Sequence, residues 1–304
     1  MTYHPGEIQV QERAGVRHIA ERSRGIRSDI PDVAKIFLEQ QPFLILGAPK
    51  DDGTVWASVL FGAPGFVQVV DSRSIAIDGS PEVTDPISCG LRLGYPVATI
   101  AMDFAERRRM RANGIITAVD RGRLEIVTEQ VYANCPKYIQ ARKWSPKEED
   151  TSRLAQSSIS FTALPNEAMS IVRHADTCFI ASHHPEYGAD VSHRGGMPGF
   201  IKTENDKTLV FPDYTGNAMF NTLGNLIGYP QAGLLFMDFD SGSLLQLTGT
   251  AVVEWDVSKS RFSLPGAERL IKFRLERGHL TRNAMPLNWS SAQFSPANPR
   301  TQEE

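Results

Sequence analysis

Cysteine is scarce in this chain: Cys89, Cys135 and Cys178 are the only three in 304 residues. They are odd in number, stand more than 40 residues apart and form no C-x-x-C pair, which speaks against a disulfide framework and against a thiolate zinc site. Long apolar runs are missing too. Stretches such as Gly233 to Met237 fall far short of the roughly 20 residues a membrane helix needs, so no membrane partner is expected. Neither sign of charge dominates: 32 Lys and Arg stand against 35 Asp and Glu, a net charge of −3, so no global positive field recruits nucleic acid. The opening MTYHPGEIQVQERAG lacks an apolar signal core, and a cytoplasmic location is the expectation. Familiar catalytic signatures are absent as well, with no G-x-x-x-x-G-K-[ST], no G-x-G-x-x-G after a strand, no H-E-x-x-H and no G-x-S-x-G. These exclusions leave an ordinary folded chain, 41% hydrophobic and 22% charged, with room for two domains.

What the chain does have is a repeat. Pro64-Gly65-Phe66 recurs as Pro198-Gly199-Phe200, and Gly94-Tyr95-Pro96 as Gly228-Tyr229-Pro230, both at an offset of 134. One insertion then moves the offset to 135, at which Met102-Asp103-Phe104 matches Met237-Asp238-Phe239 and Gly114 matches Gly249. A period of this size means domain duplication, not a solenoid.

Short runs rich in Val, Ile and Phe, bounded by turn residues, predict strands over 43–48, 66–70, 97–102, 115–119 and 124–127. The second half repeats them over 178–181, 200–202, 208–211, 233–239, 244–254 and 271–277. The fold class expected is mainly β with peripheral helices, each half a small barrel. Helices are predicted over 7–22, over 32–40 with Val33, Ile36 and Phe37 on its apolar side, and over 218–227. The expected layout is helices plus a first, degenerate barrel over 1–145, a charged and Ser-rich linker over 146–160, a second barrel over 161–290, and a flexible tail over 291–304.

The two copies differ where chemistry would sit. At offset 134 Asp190 lies over Trp56, His193 over Val59 and Arg194 over Leu60. A fold that accepts Leu at that position does not need Arg for stability. The segment from Asp213 through Asn217, Asn221, Thr222 and Asn225 concentrates amides and hydroxyls near a helix start, whereas its counterpart in the first half has no Asn and two prolines. Free N–H groups at a helix N-terminus, joined by Arg194, suit a phosphorylated cofactor. Asn and Thr before a helix also serve as simple caps. His183, His184 and His193 lack metal-ligand spacing, so no metal is expected. Arg107-Arg108-Arg109 with Arg111 reads as a solvated hairpin tip, and Asn134-Cys-Pro as a turn with Lys137 and Tyr138 exposed.

As a set, DVSHRGGMPGF, FPDYTGN, NTLGNL, GYPQAGLLFMDF, YANCPKYIQ and the opening Tyr3-His-Pro-Gly-Glu7 resemble the pyridoxamine 5'-phosphate oxidase-related, FMN-binding split-barrel proteins, over roughly Tyr3 to Trp289. The resemblance implies two tandem split β-barrels of the FMN-binding type, six-stranded, with FMN between barrels and commonly a homodimer. It implies that Ser192 and Arg194 sit near the flavin and its phosphate, that Asp190 and His193 of the same motif join them, and that Asp213, Asn217, Asn221, Thr222 and Asn225 complete the pocket. Trp56 and its apolar neighbours are expected to wall the site from the first barrel. The chain departs from the vitamin-forming oxidases, which carry an Arg-Lys pair in the segment matching Asn221-Thr222 and an Arg and His motif missing near Leu287-Asn-Trp289. Pyridoxamine phosphate is therefore not the expected substrate. The function implied is an FMN-dependent oxidoreductase working by hydride transfer at the flavin, with a small-molecule substrate or NAD(P)H as electron donor and no catalytic side chain assigned. The alternatives are a non-catalytic flavin carrier or sensor, or a haem-handling split barrel with His279 or His193 as ligand.

Overall fold

The computed structural model describes residues 3–22, 26–120, 122–148 and 156–299. Three helices lead in, α1 (Pro5–Arg13), α2 (Arg17–Arg22) and α3 (Asp32–Glu39). They are followed by strands β1 (Phe43–Pro49), β2 (Val55–Phe61), β3 (Val67–Asp71), β4 (Ser74–Asp78), β5 (Pro96–Asp103), β6 (Arg108–Asp120) and β7 (Arg123–Ala133). Two short strands, β8 (Trp144–Pro146) and β9 (Ser157–Phe161), flank the junction before α4 (Asn166–His174). The second half runs β10 (Thr177–His184), β11 (Gly188–Gly195), β12 (Lys202–Asn205), β13 (Thr208–Asp213), α5 (Asn221–Gly228), β14 (Gln231–Asp238), β15 (Ser243–Glu254), β16 (Arg269–Arg282) and β17 (Leu287–Trp289). No described helix is long and apolar enough to cross a membrane.

The duplication is visible in the sheet order. The first sheet runs β2-β1-β5-β6-β7-β4-β3 and the second β11-β10-β14-β15-β16-β13-β12, the same path strand for strand. Register agrees with the sequence offset: Leu44 faces Leu60 across β1 and β2, and Cys178 faces Arg194 across β10 and β11. Each copy also has a bulge at the matched glycine, at Asn113/Gly114 and at Thr248/Gly249. A Cβ there would stand 2.8 Å from the Val127 carbonyl carbon or 2.9 Å from that of Arg274, so the kink demands glycine twice. Seven strands per sheet, not six, follow from the extra edge hairpin strands β3 and β12, and β9 pairs with β16 besides.

The central strands read as unbroken apolar runs because both of their faces are buried. In β1, Leu44, Leu46 and Ala48 fill the first barrel while Phe43 and Ile45 point into a core shared by the two barrels. In β10, Cys178 and Ile180 fill the second barrel while Phe179 and Ala181 enter the shared core. Val55, Ala57, Ile100 and Met102 meet Ala189, Val191, Leu235 and Met237 there, pairs that sit at the same place in each copy. The chain is thus an internal dimer of barrels around a common apolar layer.

Several expectations are corrected. The helix over 7–22 is two, broken where the chain turns at Gly15 (φ 70). Val33 and Ile36 face solvent while Phe37 and Leu38 are buried, so the apolar side of α3 lies one position further on. The helix over 218–227 starts at Asn221, because Ala218 and Phe220 adopt left-handed backbone (φ 60 each). Of the linker, 149–155 lie outside the described residues, and Ser157–Phe161 form a strand on β16. Of the tail, 300–304 lie outside them; the rest is tied down, Gln293 bridging to Ala141 and the Ser295 N–H donating to Gln140 at 2.7 Å.

Candidate functional site

One cleft gathers the end of β11, the loop from β13 to α5, and two pieces of the first barrel. Strand alternation explains the first-barrel contribution. In β6, Met110 and Ala112 point into their own barrel's core, so Arg109 and Arg111 between them point the other way, onto β11. The second piece follows β7 and brings Asn134, Cys135, Lys137 and Tyr138 to the same cleft.

Arg111 is buried and tied to both barrels. Its Nε donates to the Val191 carbonyl at 2.7 Å, one Nη to the Tyr132 hydroxyl at 2.9 Å and the other to Ser192 Oγ. Asp190 lies 3.5 Å from the same guanidinium and accepts from Ser192 Oγ at 3.1 Å and Thr222 Oγ1 at 2.7 Å. Tyr132 donates to Asn221 Oδ1 at 3.1 Å, and Asn221 Nδ2 donates to Glu7 Oε1 at 2.5 Å, so α1 anchors the start of α5. Arg194 pairs with Asp213, whose other oxygen accepts from Arg269 Nε at 2.8 Å.

Arg109 has no carboxylate partner among the described residues. Its Nη1 lies 2.7 Å from His193 Nδ1, and because a guanidinium only donates, that nitrogen accepts and the imidazole proton sits on Nε2. Burial, then repulsion from Arg111 and Arg194, pulls the Arg109 pKa down to about 9. Burial and the three guanidiniums likewise hold His193 neutral, well below the usual histidine range. Three buried donors in this cleft, Arg109 Nε, Arg194 Nε and His193 Nε2, have no partner, and Asn134 Oδ1 is an unpaired acceptor beside them. These four are half of the eight such side-chain atoms among the described residues. Buried donors without partners cost about 1–3 kcal/mol each, so three of them on the residues of one cleft suit an acceptor-rich, anionic ligand. At one wall α5 begins with no side-chain cap, leaving its first-turn N–H groups to face the cleft.

The residues picked from sequence are mostly brought together. Ser192, His193, Arg194, Asp213, Asn217, Asn221 and Thr222 line the cleft, and Asp190 backs it. Asn217 also accepts from the Met219 N–H at 3.1 Å, a turn bond that fixes the approach to α5. Asn225 does not reach the cleft; it donates to Ser182 Oγ one turn deeper. Trp56 is no wall of the site, being packed inside its own barrel with Nε1 on Thr54. The solvated tip expected at Arg107–Arg111 holds at Arg108, which is exposed, and is corrected for Arg109 and Arg111, which strand alternation in β6 turns onto β11. Tyr138 is half-buried and tilted against Tyr214, with ring centres 4.9 Å apart. The signal that finds the arginines is the alternation Arg-Met-Arg-Ala-Asn over 109–113, which is a strand pattern with one polar face.

Residues 164–282 match the family model described as pyridoxamine 5'-phosphate oxidase, which covers the second barrel. No curated protein matches the chain. Solved structures similar to it include a candidate pyridoxamine 5'-phosphate oxidase from Lactobacillus delbrueckii, 16% identical over 39% of this chain and 94% of that one, with a TM-score of 0.31. HupZ of Group A Streptococcus is 13% identical over 38% and 91%, with a TM-score of 0.30. A Clostridium acetobutylicum protein related to general stress protein 26, of the pyridoxinephosphate oxidase family, is 13% identical over 42% and 90%, with a TM-score of 0.31.

Proposed function

Taking the second barrel, residues 164–282, as a pyridoxamine 5'-phosphate oxidase-related split barrel, we propose that the chain is an FMN-binding flavoprotein that acts as an oxidoreductase. The observation that carries this reading is the set of three buried, partnerless donors, Arg109 Nε, Arg194 Nε and His193 Nε2, on residues that line one cleft. A phosphate supplies the acceptors they lack. Arg194 and Arg109 would grip it, with the first turn of α5 completing the cradle. Asp213 and Asp190 do not compete for the phosphate. Asp213 fixes the fork of Arg194 against Arg269, and Asp190 holds Arg111 and the hydroxyls of Ser192 and Thr222 in place. His193, neutral, keeps its proton on Nε2 and offers it to the cleft without adding charge.

When bound, FMN supplies hydride transfer at its ring. The chain's own residues then bind, orient and shield. Tyr138 and Tyr214 give an aromatic edge to the cleft, and the shared apolar layer keeps water from behind the site. The donor is NAD(P)H or a small organic substrate. Because β6 and β11 belong to one chain, the cleft is complete within it, and any homodimer joins two chains that each already hold a site.

Absorption of the purified protein tests the reading. Flavin bands are expected in the wild type and their loss in Arg194→Leu; a variant that keeps its full flavin content overturns the assignment. Bleaching under anaerobic NAD(P)H is the expected mark of an oxidoreductase, an inert flavin that of a carrier, and a Soret band that of haem.

A further inference from the structure

The duplication creates a second cleft, at the place in the first barrel that mirrors the arginine-lined one. Its residues correspond position by position. Val59 and Leu60 of β2 stand where β11 has His193 and Arg194, and Leu244 and Gln246 of β15 stand where β6 has Arg109 and Arg111. Across the strand pair, His279 faces Gln246 as Tyr132 faces Arg111. Even one bond is kept: Gln246 Nε2 donates to the Ala57 carbonyl at 3.0 Å, the mirror of Arg111 on Val191.

The chemistry is inverted. Arg109, Arg111 and Arg194 are replaced by neutral residues, while Asp85 stands beside Ser58 as Asp190 stands beside Ser192, here without a guanidinium. Asp85 accepts from Ser58 Oγ, from the Ile87 N–H at 2.9 Å and from Gln246 Nε2 at 3.0 Å, three partners of which none is charged. Beside it His279 is 7% exposed, its Nδ1 occupied by Ser160 Oγ at 3.1 Å and its Nε2 buried without a partner. Burial lowers the His279 pKa and the charge of Asp85 opposes this, so the ring is near enough to feel that carboxylate yet gives it no counter-ion at neutral pH. Val59, Leu60, Phe61, Leu244, Met285 and Pro286 make apolar walls, and among the described residues Glu82, Glu148 and Lys147 also line the cleft. A vestigial site would be closed by packing. Among the described residues this one is not filled by side chains.

We propose that this second cleft is a ligand site in its own right, one that takes an organic cation on an apolar body and excludes phosphates. A carboxylate held by neutral donors in a half-buried setting favours a cation that the apolar walls help to desolvate, and without Arg or Lys at its base the cleft offers a phosphate nothing. The inference rests on the duplication and does not depend on the flavin reading.

Calorimetric titration of the whole chain with benzylamine, benzyl alcohol and benzoate tests it, with flavin content recorded in parallel. Saturable benzylamine binding is expected, at least tenfold tighter than benzyl alcohol, with no benzoate binding. Asp85→Asn is expected to erase the preference for the amine. Leu60→Arg, which restores the residue the other barrel carries at the same register, is expected to abolish amine binding while the flavin content stays unchanged. Absence of saturable benzylamine binding in the wild type overturns the proposal, and so does an amine preference that survives in both variants.

Discussion

Glu7 shows how one residue joins the N-terminal segment to the site. It is 5% exposed, accepts from the His4 N–H at 2.8 Å in a capping box, and accepts from Asn221 at the start of α5. Burial pushes its pKa up from 4.5 to about 7, against the pull of those two donors. The folded chain therefore holds this proton more tightly than the unfolded one does, so the stability linked to it is full below about 4.5 and is lost as pH rises towards 7. The loss amounts to about 3 kcal/mol. Glu7→Gln keeps the neutral shape and an accepting oxygen, so the variant should gain on the wild type steadily between pH 5 and 8. Urea unfolding at the two pH values reads this directly, and a wild-type difference that Glu7→Gln leaves intact would show that other groups carry it. His4 and His183 work the other way, burial lowering each to about 4, which costs stability on the acid side. Subtracting variant from wild type removes the His183 contribution, and restricting the comparison to pH 5–8 keeps it above the range in which His4, 3.9 Å from Glu7, titrates.

At the scale of elements, α1 crosses α5 through two glycines. A Cβ on Gly224 would stand 2.7 Å from the Glu7 backbone nitrogen, and one on Gly6 would stand 3.1 Å from the Gly224 carbonyl carbon. Backbone cannot swing aside as a side-chain tip can. Gly224→Ala should thus destabilise by about 1–2 kcal/mol, overpacking outweighing the gain in helix propensity, and should lengthen the Glu7–Asn221 bond that positions the first turn. Chemical denaturation gives the first number, and a variant as stable as wild type would mean that α1 shifts at no cost. The same element shows where sequence reading stops. NTLGNLIG reads as a helix with its stop at Gly228, but the left-handed Phe220 just before it is set by tertiary packing, because no local propensity asks a phenylalanine to adopt φ 60. The barrel strands were legible because both of their faces are apolar and because the repeat states the topology twice. Arg109 and Arg111 were harder to place: a run of arginines resembles a solvated turn until the alternation with Met110 and Ala112 is weighed, and only the pairing of the two barrels shows that their polar face is an interior one.

At the scale of the molecule, a symmetric pair of barrels has been made asymmetric one side at a time. The shared core keeps the equivalence of Ile45 with Phe179 and of Ala57 with Val191, since either change would open the layer that holds the barrels together. The clefts at its two ends are free to diverge, because a cleft residue answers to a ligand and not to packing. Each site is built across the barrels, β6 with β11 on one side and β15 with β2 on the other, so neither barrel alone can hold one. If the guanidiniums decide where a flavin phosphate binds, the chain should carry one FMN and not two, despite two clefts of common descent. Flavin absorbance against protein concentration from amino-acid analysis gives that ratio. Arg109→Leu sharpens it, since Leu244 holds the same register in the second cleft. The variant removes a guanidinium that has no carboxylate partner among the described residues and leaves Asp190 its Arg111, so the fold should stand and the flavin ratio should fall well below one. A ratio of two in the wild type would mean that the phosphate is held by backbone features the two copies share, and the arginines would then need another role.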